Sequence, residues 1–182
     1  MNVDDLVWRN GSGGIPQKLV DALLDQGRLD LLVETAHRRE DWPCAQGTVR
    51  GLCAAGEFER AWSVIEPFAA AAWQPALRAG ADVLLRWGRT TQALELVRPG
   101  ARARTGGKDE HDAWRDYAEV LVDAGLVDEA IDVLTRRPHD ERTLWALVEV
   151  TEGQERDEWM LDLLAPIAEA FRRDPNTPRS VT

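Results

Sequence analysis

The chain has 182 residues, 44% of them hydrophobic and 30% charged, with 32 Asp and Glu against 22 Lys and Arg and a formal net charge of −10. That length and apolar content suit a folded domain of ordinary size and exclude a disordered polyelectrolyte. The acidic balance argues against a nucleic-acid backbone or an anionic membrane as the main partner, because neutralising phosphates takes clustered Lys and Arg in excess.

The first fourteen residues carry Asp4 and Asp5 and no basic stretch ahead of an apolar run, so they read as a linker, residues 1–14, and not as a secretory signal. The longest uninterrupted apolar run, Phe68 to Trp73, is far too short to cross a bilayer. Cys44 and Cys53 are the only cysteines, which is the usage of a reducing compartment, and the cytoplasm is the expected location.

From Ile15 onward the chain is punctuated by Gly27, Gly56, Gly88, Gly125 and Gly153, spaced 29, 32, 37 and 28 residues apart. Seven residues before each glycine stand Val20, Val49, Ala81, Ala118 and Ala146, and four before it Leu23, Leu52, Leu84 and Leu121. Offsets of three, four and seven fall on one face of a helix, so each glycine closes a first helix with a buried stripe. Five and nine residues after the glycine the apolar pattern resumes, with Leu32, Ala61, Ala93 and Ala130, then Ala36, Ile65, Val97 and Leu134. This predicts a second helix that packs closely on the first. Pro67, Pro99, Pro138 and Pro166 are expected to close these second helices and keep them short.

Such a pair cannot bury its stripe alone, so five helix hairpins are expected to stack in series over residues 15–173, at 15–43, 44–75, 76–112, 113–138 and 139–173, with a loose tail at 174–182. The fifth reads as a cap, because Glu149, Glu158 and Asp162 replace the apolar or small residues of the other units. Trp62, Trp114, Trp145 and Trp159 fall in slots that face neighbouring helices and are expected to be buried.

The run Gly125-Leu-Val-Asp-Glu-Ala130-Ile-Asp-Val-Leu134, with Trp114 eleven residues before the glycine, resembles a tetratricopeptide repeat (TPR). Gly88 with Ala93 and Gly56 with Ala61 repeat the glycine-to-alanine spacing, while Leu32 and Glu158 replace the alanine in the outer units. The resemblance implies an all-α fold, a right-handed α-α solenoid of about five hairpins whose first helices line a concave groove. It also implies the binding of a peptide or protein partner, without a cofactor and without catalytic residues, so an enzyme is not expected.

In such an array the groove is lined by positions two, six and ten before each glycine. In the middle units these positions gather Arg50, Arg78, Arg86 and Arg115, with Asp82 and Glu119 among them and Trp87 at the rim beside Arg86. In the fifth unit they are Thr143, Leu147 and Thr151. Paired N–H donors of the arginines suit a carboxylate, whereas the spacing of Arg78, Asp82 and Arg86 equally suits ordinary surface ion pairs. The basic loop from Arg98 to Lys108 lacks interleaved aromatics and reads as a flexible insertion. His37, His111, His139 and the two cysteines match no zinc spacing, and no metal is expected. Beside the scaffold reading stands a second one: an acidic inhibitor or immunity-type protein that caps a basic partner, for which the net charge is the motive.

Overall fold

The structure is a computed structural model and describes residues 14–99, 110–136, 141–153, 155 and 158–165. The N-terminal linker before residue 14, Pro138, Pro166, most of the 98–108 loop and the tail at 174–182 lie outside the described residues. The chain divides into two compact units, residues 1–107 and 108–182. Among the described residues every regular element is an α-helix.

The first unit contains α1 (Gln17–Asp25), α2 (Leu29–Arg39), α3 (Trp42–Ala54), α4 (Phe58–Ala70), α5 (Gln74–Arg86) and α6 (Thr90–Val97). Each helix packs on the next, and the first helices also touch one another, α1 on α3 and α3 on α5, as the second helices α2 and α4 do. This is serial stacking of three hairpins. The marker glycines end the first helices in one recurring geometry. At Gly88, φ is +78°, its N–H bonds the Leu85 carbonyl at 2.9 Å, and the next N–H, of Arg89, reaches back to Leu84 at 2.8 Å. That pair of hydrogen bonds satisfies two orphan carbonyls, and its left-handed residue is strained for any side chain bearing a Cβ.

The buried stripes follow the repeat. Val49 and Ala81, Leu52 and Leu84, Ala61 and Ala93, and Ile65 and Val97 are all buried. Full burial of a side chain the size of Phe68, Leu52 or Ile65 contributes about 2 kcal/mol each. Gly47 lets α3 approach α1 closely, since a Cβ there would overlap the Val20 side chain. Trp42 anchors the middle of the unit, edge-on to Phe68 at 5.6 Å and to Trp73 at 4.7 Å between ring centroids. Asp41 caps α3, accepting from the Cys44 N–H at 2.9 Å while its other oxygen accepts from the Ile15 N–H at 2.9 Å.

One expectation about the prolines is corrected here. Pro67 does not close its helix: α4 runs on to Ala70 with Pro67 inside it. The ring sits on the exposed side of the last turn, where losing one amide bond leaves the carbonyl it would have paired within reach of water. Pro99, in contrast, follows the end of α6.

The second unit contains α7 (Glu110–Asp123), α8 (Val127–Thr135) and α9 (Glu141–Thr151), followed by helical residues at 158–165. α8 packs on α7 and α9, and α9 on α7. α7 and α8 keep the repeat pattern, with Ala118, Leu121, Ala130 and Leu134 buried and Gly125 at φ +78°.

α9 departs from it and overturns two expectations. Thr143, Leu147 and Thr151, expected on the groove, are buried, whereas Trp145, expected in the core, is 63% exposed. The cause lies four residues before Gly153, where the other units place leucine and this one places Glu149. Burying an unpaired carboxylate is costly, so α9 turns Glu149 outward, brings the Thr143–Leu147–Thr151 edge inward, and carries Trp145 into solvent. The Thr151 hydroxyl is satisfied in its buried site by donating to the Leu147 carbonyl at 2.8 Å. Trp62, Trp114 and Trp159 are half-buried.

Candidate functional site

The first helices of the first unit supply a groove of about 610 Å³. α1 gives Gln17. From α3 come Trp42, Gln46, Val49, Arg50 and Cys53, and from α5 come Pro75, Arg78, Ala79, Asp82 and Arg86. The polar residues among them stand two, six or ten positions before a glycine, and the apolar ones come from the neighbouring offsets that border the buried stripe. Groove and core are therefore two adjacent strips of the same helices.

The charges are arranged in pairs. Arg50 on α3 donates to Asp21 on α1, and Asp21 also accepts from the Gln17 amide at 3.0 Å. These bonds, Gln17 first and Arg50 next, hold the Asp21 carboxyl below its ordinary value. Arg86 meets Asp82 one turn earlier on α5, with Nε 3.0 Å from the nearer carboxylate oxygen. Arg78 is half-buried in the same groove. Arg50 and Arg86 are thus each held by a carboxylate, and Arg78 shares the groove with them.

Cys53 lies on the apolar floor, and burial pushes its thiol above its ordinary value, with Arg86 pulling weakly the other way. Cys44, wholly buried in the first turn of α3, is pushed up to about 12 by burial and by Asp41. Neither thiol is activated as a nucleophile, because the thiolate is the disfavoured form in both. Among the described residues no group of three His, Cys, Asp or Glu side chains is placed to hold a metal ion.

The structure thus brings Arg50, Arg78, Asp82 and Arg86 into one groove. Arg115 and Glu119 stand on α7 of the second unit, where Arg115 Nε bonds Glu119 at 3.1 Å and its Nη2 bonds Glu149 of α9 at 2.9 Å. Trp87 is not among the groove-lining residues: it caps α5, and the Arg89 guanidinium covers its ring at 3.3 Å from the centroid. The floor residues Trp42, Val49, Cys53, Pro75 and Ala79 escaped sequence reasoning, since at their spacing an apolar residue is indistinguishable from core. No described helix is long and apolar enough to cross a membrane.

No family model matches the chain, and no curated protein matches it. Among solved structures it is similar to the nearly identical TPR-like repeats of a kinesin light chain from Podosopora anserina, at 16% identity over 89% of this chain and 95% of that one, with a TM-score of 0.46. A point variant of the same protein gives 17% identity over 87% of this chain and 95% of that one, again with a TM-score of 0.46. The fold itself rests on the helix packing above: within each unit, consecutive α-helices pack on one another as helix hairpins.

Proposed function

We propose that the chain is a non-enzymatic scaffold that holds a peptide segment of a protein partner along the first helices of its first unit. The observation that carries this reading is the groove itself, with an apolar floor between Trp42 and Ala79 and the Arg50, Arg78 and Arg86 guanidinium groups along it. A floor of that kind takes an apolar side chain, and the arginines take carboxylates through paired donors. The ionisable groups serve each other as ion pairs and do not converge on a reacting atom, which favours binding over catalysis. Two buried thiols suit a reducing cytoplasm.

Pull-down from the native cell, repeated with the double variant Arg78→Glu, Arg86→Glu, tests the groove. A retained protein that is lost in the variant supports it. Equal retention by both proteins overturns the groove assignment, and retention of nothing overturns the scaffold reading.

A second reading, an acidic protein that caps a basic partner, is favoured by the distribution of charge. Residues 1–107 hold 13 acidic and 13 basic side chains, whereas residues 108–182 hold 19 acidic and 9 basic, so the whole net charge of −10 belongs to the second unit. Long-range attraction of a cationic partner is therefore a property of that unit alone.

A further inference from the structure

α9 leaves open, as α1 does at Leu19 and Ala22, a face that α3, α5 and α7 bury or half-bury. Eight residues before the glycine, Thr48, Gly80 and Tyr117 are buried, and five before it Val83 and Val120 are buried too. The same two positions in α9 are Trp145, 63% exposed, and Val148, 37% exposed. Spaced three apart, they lie side by side on one face of the helix, and Glu149 and Glu152 continue that face at the next offsets, both exposed. Glu155, Glu158 and Asp162 follow, exposed as well.

We propose that this face of α9 docks a basic amphipathic helix of a partner protein, with Trp145 and Val148 against its apolar stripe and Glu152, beside the Arg115-paired Glu149, facing its lysines or arginines. The proposal rests on the second reading above and names the surface that reading needs. Tryptophan is the side chain whose burial most often dominates an interface, because it brings a large rigid area at low entropic cost. Charge selects the occupant. Whatever covers Trp145 must approach a row of carboxylates on a unit that carries the net −10, so the same unit of a second copy would meet like charge and the first unit brings no net positive charge, whereas a cationic helix meets opposite charge. The apolar pair also separates docking from plain counterion attraction, since a polylysine lays only methylene stems and ammonium groups on the indole, a smaller apolar area than a leucine stripe.

The test uses the full chain and a fluorescein-labelled synthetic helix of leucine and lysine, with leucines at helical spacing, read by anisotropy. Poly-L-lysine serves as the charge-only probe. The expected result is saturable binding of the Leu/Lys helix that weakens at least tenfold in Trp145→Ser and in Val148→Asp. It should weaken several-fold in Glu152→Lys and with added salt, and stay unchanged in the groove variant Arg78→Glu, Arg86→Glu. Far-ultraviolet circular dichroism of each variant matching the parent shows that the fold is kept. Equal affinity in Trp145→Ser, or no binding by the parent, overturns the proposal. If poly-L-lysine still binds in that case with salt sensitivity, the acidic-cap reading survives without this face, and if it too fails, both fall. Self-association of the parent that Trp145→Ser abolishes also overturns it, by showing a second copy to be the occupant.

Discussion

Arg50 and Asp21 occupy the same place in consecutive repeats, each six residues before its marker glycine, and their side chains meet across α3 and α1. Repetition of backbone geometry brings equivalent positions of neighbouring first helices alongside one another, so opposite charges at one repeat position become a bridge between hairpins. Both partners are about half exposed, and such pairs set register more than stability. Because the folded carboxyl titrates below its ordinary value of 3.8, the bridge acts above that pH and is lost as pH falls further. Asp21→Asn should therefore leave the urea midpoint almost unchanged at pH 7 and make the unfolding curve less sensitive to acid below about pH 4. An equal acid response in parent and variant would refute the linkage.

Asp41 is a larger determinant. Its two oxygens tie the start of α3 to the backbone at Ile15, and the side chain is only 9% exposed. Asp41→Ala removes a helix cap and leaves the Ile15 N–H without its acceptor, at a cost of about 2 kcal/mol in the first unit. Denaturant titration checks it. A loss below about 0.5 kcal/mol would mean that water replaces both bonds.

Thr48 goes in the other direction. Its hydroxyl is fully buried in α3 and finds no hydrogen-bond partner. Valine keeps the shape and removes the stranded polar atom, so Thr48→Val should stabilise the chain by about 1 kcal/mol, read as a rise in the thermal midpoint. A fall would indicate that the hydroxyl is satisfied in solution.

The hairpin repeat was legible in the sequence because glycine at a left-handed turn and apolar residues at helical offsets are local signals. Val49, Leu52, Ala61 and Ile65 are buried as their offsets from Gly56 require. The position of Arg50, Arg78, Asp82 and Arg86 on the strip next to that stripe was legible for the same reason, whereas Trp87, Arg115 and Glu119 do not join them in the groove. What could not be read was anything that depends on one residue outvoting the pattern. Glu149 in a leucine slot turns α9 and exposes Trp145, while the cation over Trp87 comes from Arg89, across the turn at Gly88. Pro67 inside α4 belongs to the same class, because exposure decides whether a helix tolerates proline and exposure is a tertiary property.

Two turns offer a matched test of the left-handed geometry. Gly88 has φ +78° in the recurring helix stop, and Ala72 has φ +57° after α4, where the repeat has no glycine. Gly88→Ala should destabilise by about 1 kcal/mol, since nothing lies within 4 Å of the added methyl and backbone strain is the whole effect. Ala72→Gly should relieve the same strain, offset in part by the freer unfolded chain, for a gain of up to about 0.5 kcal/mol. Opposite signs in paired unfolding curves are the expected outcome, and equal signs would show that the two turns are not equivalent.

Cys44 gives the alkaline counterpart. Its thiol rises from 9.0 to about 12 in the folded chain, through burial first and Asp41 second. Between those values the unfolded chain has lost the proton and the folded chain keeps it, so the folded state binds more protons and the stability due to Cys44, complete below pH 9, declines as pH climbs toward 12. Cys44→Ala should flatten that alkaline decline. At pH 8 a thiol reagent should label neither Cys44 nor Cys53 at the rate of a free thiol, and both should react once denaturant unfolds the chain. Rapid labelling of the native protein at Cys44 would show that α3 opens locally, away from the Asp41 cap, far more often than a closed core allows.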